Sequence, residues 1–329
     1  MRDSEFFGHV TAVAPGKVNV SLRVGPRRPD GYHDVATLFL AVSLTEEVSA
    51  CPRQDEAITV ALSERSAFTD VQFQDSQGGE PLTAGIPLDE SNLAHRAATL
   101  LRQRLGHREG VDLTITKNVP VAGGMGGGSA DAAAALLACS ALWEAGLSKE
   151  QLAEIGAELG ADVPFALLGG AAVGQGVGDE LSPLLTRGDL HLVIVPSNTG
   201  LPTPEVYRRL DTMREEASVE AEEPVLDADL VRAVCTADVE LIASLMANDL
   251  QAPAVSMVPA LEDVMDMGLL EGALQGMVSG SGPTVVFLAR DAETAGQLAT
   301  RLQESTSVWA IPVSGPAPGA HLLTHRPVE

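Results

Sequence analysis

The residues of this chain with the clearest chemical character lie in Pro120-Val121-Ala122-Gly123-Gly124-Met125-Gly126-Gly127-Gly128-Ser129-Ala130-Asp131, which runs straight into a stretch of alanine and leucine over 132–138. Residues 111–116 before it alternate apolar and polar, as a half-buried strand does. A strand, a glycine-dense turn and a helix in that order make an anion cradle. Glycines let the backbone approach a phosphate closely, and the unpaired N–H groups of the first helical turn point at it. Ser129 adds a hydroxyl near the helix start. Two familiar phosphate loops are excluded by inspection. No Gly-Lys-Ser/Thr follows the glycines, and the nearest approach to G-x-G-x-x-G puts Asp131 where close helix–strand packing wants glycine. A flexible linker is the plain alternative, yet linkers rarely sit between a clean strand and an Ala/Leu helix.

Three further segments carry polar groups at turn or strand positions. Ala14-Pro15-Gly16-Lys17-Val18-Asn19 is a sharp turn that places Lys17 and Asn19 on one side of a strand. Arg27-Arg28-Pro29-Asp30-Gly31-Tyr32-His33 is a turn-rich polar loop holding both an aromatic ring and an imidazole. Ser279-Gly280-Ser281-Gly282-Pro283-Thr284 is a second small-residue loop entering a strand. Asp162, just before Val163-Pro164-Phe165, fits a helix N-cap on local sequence alone. The chain has two tyrosines, Tyr32 and Tyr207, and helical spacing fits Tyr207 equally well to packing beside Val206 and Leu210.

The elements that must position these groups are read from hydrophobic period and punctuation. Strands are expected over 11–14 and 18–24 around a Pro-Gly corner, then over 38–44 and 58–62. Residues 63–88, rich in Gly, Pro, Asp, Ser and Gln, predict a long loop or insertion. Helices are expected from the 89–93 start signal to Leu105, with Gly106 at its end, and over 149–159. A second unit begins near Leu190 with a strand over 191–195. Helices follow around 204–210, 226–234 and 239–248, then a strand over 284–289, a helix capped by Asp291 to about 304, and a strand over 307–311. Residues 214–223 predict an exposed acidic loop or helix face, and the tail from Gly315 is expected to be poorly ordered.

Composition sets outer limits. At 329 residues there is room for two domains, each with a sizeable core. No run reaches the roughly 18–20 apolar residues of a membrane helix, and the N-terminus has no apolar signal core, so a cytoplasmic protein is expected. Cys51, Cys139 and Cys235 lack C-x-x-C spacing, and the seven histidines are scattered apart from His321 and His325 in the tail, which argues against disulfides and a cysteine- or histidine-built metal site. The formal net charge of −24 argues against nucleic-acid and anionic-membrane partners. It does not exclude a phosphorylated ligand, because exposed charges are largely screened beyond about 8 Å at physiological salt.

Taken together, the A-P-x-K-V-N start, the D-G-Y-H loop, the G-x-G-G-G-S-A-D loop, the G-A-D-V-P-F segment and the S-G-S-G-P-T loop resemble the GHMP kinase superfamily. The resemblance runs from residue 14 to 284. Its most specific element, Asp30-Gly31-Tyr32-His33 after two arginines, resembles the branch that phosphorylates the 2-hydroxyl of 4-diphosphocytidyl-2-C-methyl-D-erythritol on the non-mevalonate route to isoprenoid precursors. The resemblance implies an α+β, two-domain fold. An N-terminal ATP-binding α/β domain over 1–187 would resemble ribosomal protein S5 domain 2, and a ferredoxin-like α/β sandwich would fill 188–329. It implies that residues 120–130 hold the phosphates of ATP, that Lys17 and Asp162 are catalytic, and that Asn19 lies near the acceptor hydroxyl. Tyr32 and Tyr207 would sandwich a cytosine whose edge His33 reads. Mg²⁺ should accompany ATP with no dedicated protein site; Ser129 is the candidate contact, with water supplying the rest. Met125 departs from the family's usual leucine, and Ala130 is one of its common choices. Neither change in size threatens the loop. The implied partner is a small molecule with a cytidine diphosphate group, and the implied state is a monomer or homodimer. One rival reading is another small-molecule GHMP kinase of the homoserine or mevalonate type, which leaves Asp-Gly-Tyr-His without a role. The other is a catalytically silent nucleotide-binding regulator, against which the presence of both Lys17 and Asp162 speaks.

Overall fold

The structure is a computed structural model and describes residues 8–67, 85–121, 123–197, 199–306 and 308–323. The expected 63–88 insertion therefore lies largely outside the described residues. Two long strands, β1 (Val10–Arg27) and β2 (His33–Pro52), form an antiparallel pair at the centre of the first sheet. Residues 15–16 make no corner. β1 runs through them, and its register against β2 shifts between Pro15 and Lys17 and again between Asn19 and Ser21. Proline removes a ladder donor, so the pairing bulges where a corner was expected. Gly16 fits because a Cβ there would lie 3.1 Å from Val119 Cγ2 and 3.3 Å from the Leu44 carbonyl oxygen. The two shifts bracket Lys17 and Asn19.

The sheet continues through β4 (Val111–Thr116), antiparallel to β2, and β3 (Ile58–Leu62), parallel to β4 across a crossover that contains α1 (Leu93–Leu105). Asn92 caps α1 through its side chain, and Gly106 ends it at φ 63°. α2 (Gly127–Leu142), α3 (Lys149–Ala157) and α4 (Asp162–Leu168) cover the same face, where small residues of α2 such as Ala130 and Ala134 let the helix lie close to Ala12, Ala14 and Val48. The third helix ends at 157, two residues short of the expected 159. Beyond them, β5 (Ala171–Gln175) pairs with β2, and β6 (Glu180–Leu184) pairs with β5.

A second, antiparallel sheet has the order β11-β7-β10-β9, from β7 (Leu190–Val195), β9 (Gln275–Val278), β10 (Val285–Ala289) and β11 (Ile311–Gly315). One face packs against α5 (Thr203–Ala217), α8 (Gln251–Met257), α9 (Ala260–Leu270) and α10 (Ala292–Thr306). The other face, with Leu192, Ile194, Val286 and Leu288, joins Val18, Val20, Leu38 and Leu40 of the first sheet and Leu230 and Ile242 of α6 (Ala228–Thr236) and α7 (Val239–Leu245) in one core. That shared core holds the loop after β9 against the glycine loop.

Three expectations are corrected here. The last strand of the second sheet begins at Ile311, where 307–311 was expected, because β11 is an edge strand and tolerates Pro312. Helix α7 stops at Leu245, and β8 (Ala247–Asn248) pairs in parallel with β1. The tail from Gly315 to Leu323 is ordered and returns to the first sheet. β12 (His321–Leu322) pairs with Ala12 and Val13, and Ala320 N donates to the Ala166 carbonyl at 3.0 Å. Gly319 permits the approach, since a Cβ there would fall 2.2 Å from the Leu167 carbonyl oxygen. The acidic 214–223 stretch finishes α5 and continues as an exposed connection, apart from Arg214, whose guanidinium donates to the carbonyls of Val24 and Gly25.

Ala320 is fully buried while Leu322 is 42% exposed. Ala320→Lys is therefore expected to cost more than about 3 kcal/mol, and Leu322→Lys less than about 0.5. Urea denaturation followed by circular dichroism checks both; equal small effects would mean that the tail does not hold the first sheet.

Candidate active site

The glycine loop ends in α2, whose N-cap is Gly126 at φ 69° with no side chain capping the first turn. Among the described residues these leading N–H groups meet no side-chain cap, which is what an incoming anion needs. A cleft of about 390 Å³ lies over the loop and is lined by Pro120, Val121 and residues 123–129, with Asn92, Leu93 and Lys117 on its other walls. Ala130 is buried in the helix below, and Ala122 lies outside the described residues.

Lys17, Asn19 and Asp162 converge beside this loop. Lys17 Nζ lies 3.8 Å from Asp162 Oδ2 and donates to Asn19 Oδ1 at 2.8 Å. Asn19 Nδ2 donates in turn to Thr37 Oγ1 at 2.7 Å, and Thr37 donates to the Ser21 carbonyl at 2.8 Å. This chain fixes the amide orientation and with it the ammonium, which also sits 5.4 Å above the Phe39 ring. Asp162 is the first residue of α4; Ala161 occupies the cap position, and no side-chain cap is made. The N-cap role that local sequence suggested is not realised. With its side chain 32% exposed, the carboxylate opens toward solvent while Lys17 is buried. The loop abuts both: Lys17 N donates to the Met125 carbonyl at 2.9 Å, and a Cβ on Gly126 would lie 3.3 Å from Lys17 Cγ and 3.7 Å from Asp162 Oδ2.

The 279–284 segment closes the other side. A Cβ on Gly124 would fall 2.5 Å from the Ser279 carbonyl oxygen, and one on Gly123 2.5 Å from Thr284 Oγ1. Asn248 Nδ2 donates to the carbonyls of Val278 and Gly280 at 2.8 and 2.7 Å, and Thr203 and Ser281 share a hydroxyl hydrogen bond at 2.8 Å. Neither Asn248 nor Thr203 was singled out from sequence. Asn248 was expected inside a helix, and only the extended β8 aims it at this loop.

His33 and Tyr207 meet on the second-unit side, their ring centroids 5.1 Å apart and tilted by 37°. Burial, and then the charge of Asp162, push the Tyr207 hydroxyl up to about 12. Tyr207 packs against the second core, and its ring lies beside that of His33. Tyr32 stands 67% exposed on the turn before β2, its N–H held by Asp30 Oδ1.

Two family models match the chain, the GHMP kinases N terminal domain over residues 92–170 and the GHMP kinases C terminal over 230–307. A 4-diphosphocytidyl-2-C-methyl-D-erythritol kinase of Pseudarthrobacter chlorophenolicus is 52% identical over 316 residues, covering 96% of this chain and 95% of that protein. The chain belongs to the GHMP kinases. A Streptomyces coelicolor protein of the same name is 45% identical, covering 95% of this chain and 99% of its own. Among solved structures, a 4-(cytidine 5'-diphospho)-2C-methyl-D-erythritol kinase superposes with a TM-score of 0.71 at 31% identity, over 93% of this chain and 99% of that one. A Cytophaga hutchinsonii homoserine kinase gives 0.72 at 17% identity, covering 98% and 99%, and shows the shared fold alone.

Beneath the loop of this GHMP kinase lies a buried charge cluster that sequence reading missed. Lys117 Nζ pairs with Glu46 and, at 2.8 Å, with Asp131 Oδ2, and the Asn118 N–H donates to Glu46 Oε2 at 2.8 Å. A Cβ on Gly127 would lie 3.0 Å from Glu46 Oε1 and 3.3 Å from Lys117 Nζ, so the cluster underpins the first turn of α2. Two carboxyls cannot both be cheaply charged around one buried ammonium. Burial, reinforced by the charge of Asp131, raises Glu46 to about 8; burial raises Asp131 too; and Lys117 rises against its own burial because both carboxylates face it. The signal lay in a lysine closing an apolar strand and an aspartate opening an alanine helix.

A carboxyl raised on folding holds its proton more tightly folded than unfolded, so its stabilisation is present at low pH and lost as pH climbs from the ordinary carboxyl range through about 8. Glu46→Gln should flatten that fall. Urea midpoints measured from pH 5 to 9 for both proteins check this; parallel pH curves would mean that Glu46 carries no proton in the fold.

Proposed function

We propose that this GHMP kinase transfers the γ-phosphoryl group of ATP to the 2-hydroxyl of 4-diphosphocytidyl-2-C-methyl-D-erythritol. The observation that carries the reading is the Lys17–Asp162 pair, 3.8 Å apart and seated against Gly126 at the open start of α2. The N–H groups of residues 126–129 bind the polyphosphate, and the cleft over the loop takes the rest of the nucleotide. Asp162 orients the acceptor and receives its proton as the oxygen forms a bond to the γ-phosphorus and the bond to the β–γ bridging oxygen breaks, releasing ADP. Lys17, held by Asn19, offsets the charge that develops on the transferred group. His33, Tyr207 and Tyr32 supply the pyrimidine subsite, where stacking contributes roughly 1–3 kcal/mol per base.

Among the described residues no group of three His, Cys, Asp or Glu side chains could cage a metal ion. The donor set, with the Ser129 hydroxyl at the loop, suits Mg²⁺ carried in on the phosphates with most of its ligands from ATP and water. When bound, the ion neutralises phosphate charge. The unit boundary belongs between residues 187 and 188, with the acceptor bound between the units and the 316–323 tail returned to the first. Among the described residues no helix is long and apolar enough to cross a membrane, and a cytoplasmic location is part of the proposal, in keeping with relatives named as small-molecule kinases.

A coupled ADP-release assay tests the assignment. Turnover is expected with the cytidylyl substrate; turnover with homoserine or mevalonate instead would defeat it. Asp162→Ala should lower kcat by at least about 10²-fold while ATP-analogue binding is retained, and unchanged turnover would remove Asp162 from the chemistry. Tyr32→Ala should raise KM for the cytidylyl substrate several-fold more than KM for ATP; equal effects on both would displace Tyr32 from the pyrimidine.

A further inference from the structure

We propose that Asp211 is a specificity-determining residue: by holding His33 Nε2 it leaves Nδ1 as the nitrogen that meets the pyrimidine, and so selects cytosine over uracil. This rests on the reading of the His33–Tyr207 region as a pyrimidine subsite. His33 Nε2 and Asp211 Oδ1 are 2.8 Å apart, and the imidazole is almost fully buried while the carboxylate is about one-fifth exposed. An ionised carboxylate only accepts, so Nε2 must carry the hydrogen. In a neutral imidazole the remaining nitrogen, Nδ1, then has a lone pair and no proton.

The ring is also locked against exchanging its two nitrogens. Tyr207 and Asp211 are four residues apart on α5 and therefore project from one face of that helix. One lies against the imidazole ring and the other binds its edge. Turning the ring over would break the hydrogen bond to Asp211 and bury an unpaired carboxylate oxygen beside it. A further contact of α5 with the His33 strand pair is Arg214, which donates to the carbonyls of Val24 and Gly25, so the helix is held beyond the His33 contact as well.

Cytosine and uracil differ on the edge that such a nitrogen reads. Cytosine carries an exocyclic amine at position 4, a donor, where uracil carries a carbonyl oxygen, an acceptor. A lone pair on Nδ1 accepts from the amine and faces the carbonyl lone pair to lone pair. Discrimination through a mismatched buried polar pair is strong because the rejected ligand leaves both groups unpaired. An asparagine at 211 changes this logic, since its amide nitrogen can donate to Nε2 and move the ring hydrogen to Nδ1. The second-unit helix thereby sets base choice without touching the base, which makes Asp211 a positioning residue acting through His33.

The test compares kcat/KM for the cytidylyl substrate and its uridylyl analogue in the wild type and in Asp211→Asn, Asp211→Ala and Asp211→Glu. The wild type should prefer the cytidylyl substrate by at least a hundredfold. Asp211→Asn should lower that ratio at least tenfold, mainly through the two KM values, with KM for ATP unchanged; Asp211→Glu should recover part of it. Imidazole ¹⁵N shifts should report the Nε2–H form in the wild type and its loss in Asp211→Asn and Asp211→Ala. A ratio that stays constant, or both substrates weakened equally, would overturn the proposal while leaving the enzyme assignment standing. A wild-type protein that turns over neither nucleotide-linked substrate would overturn the assignment and this proposal together.

Discussion

Backbone-to-backbone contact between two small-residue loops is the constraint on which the site depends. The glycine loop and the 279–284 segment approach so closely that a Cβ at Gly123 or Gly124 would overlap Thr284 or the Ser279 carbonyl. Gly280 stands in the same relation to Asn19, where a Cβ would sit 3.2 Å from Oδ1. The glycines therefore admit the neighbouring loop, and on the proposed reading they also leave N–H groups open to an anion. Close approach also explains why the two sheets must share a core. Val18 and Leu38 of the first sheet pack with Ile194 and Val286 of the second, and this apolar seam sets the spacing of the loops above it. Interiors packed to crystal density do not deform smoothly, so the loop separation is inherited from the seam.

The second requirement is electrostatic and local. A chain of net charge −24 binds a polyphosphate only if the immediate surroundings are arranged against the global field. Lys17 contributes a cation whose neighbours are a neutral amide, an aromatic face and one carboxylate at 3.8 Å. Lys117 contributes another, yet Glu46 and Asp131 already claim it from below. That cluster answers a different need. It ties the end of β4, the part of β2 opposite Ala14 and the start of α2 to one point, and the start of α2 is where the proposed anion site needs rigid amides. A proton shared among the cluster lets three ionisable groups be buried together at a tolerable cost.

How much of this was legible in the sequence follows from what each signal depends on. The strand–glycine–helix order is local, so the glycine turn between β4 and α2, α1 with its Asn92 and Gly106 ends, and β3 over 58–62 could be read directly. Lys17 and Asn19 were placeable on one side because strand alternation is local too, and the structure joins them at 2.8 Å. Asp162 was not separable from a helix cap on its neighbours alone, because only the tertiary approach of α4 to β1 shows what its carboxylate faces. The tail was misread for a related reason. Pro316, Ala317, Pro318, Gly319 and Ala320 have no periodicity, and their order comes from partners more than 140 residues away, Gly170 and Ala166 among them. Asn248, Glu46 and Lys117 share that property: each is ordinary in its own segment and specific only across the fold.

The same distinction bears on where substrate choice resides. A homoserine kinase at 17% identity superposes as well as a cytidylyl-erythritol kinase at 31%, so the overall fold does not encode the acceptor. Function on a shared fold is set by the residues of its sites. The variable part must be carried by elements that can change without moving the glycine loop. α5 meets that condition: it packs on the far face of the second sheet through Val206 and Leu210, and it reaches the site through Tyr207 and Asp211. Its core-facing residues hold its place while its site-facing residues are free to vary. On the proposed reading, selectivity is attached to a helix whose anchoring is independent of the glycine loop, so that transfer geometry at Lys17 and Asp162 is insulated from changes in what is recognised.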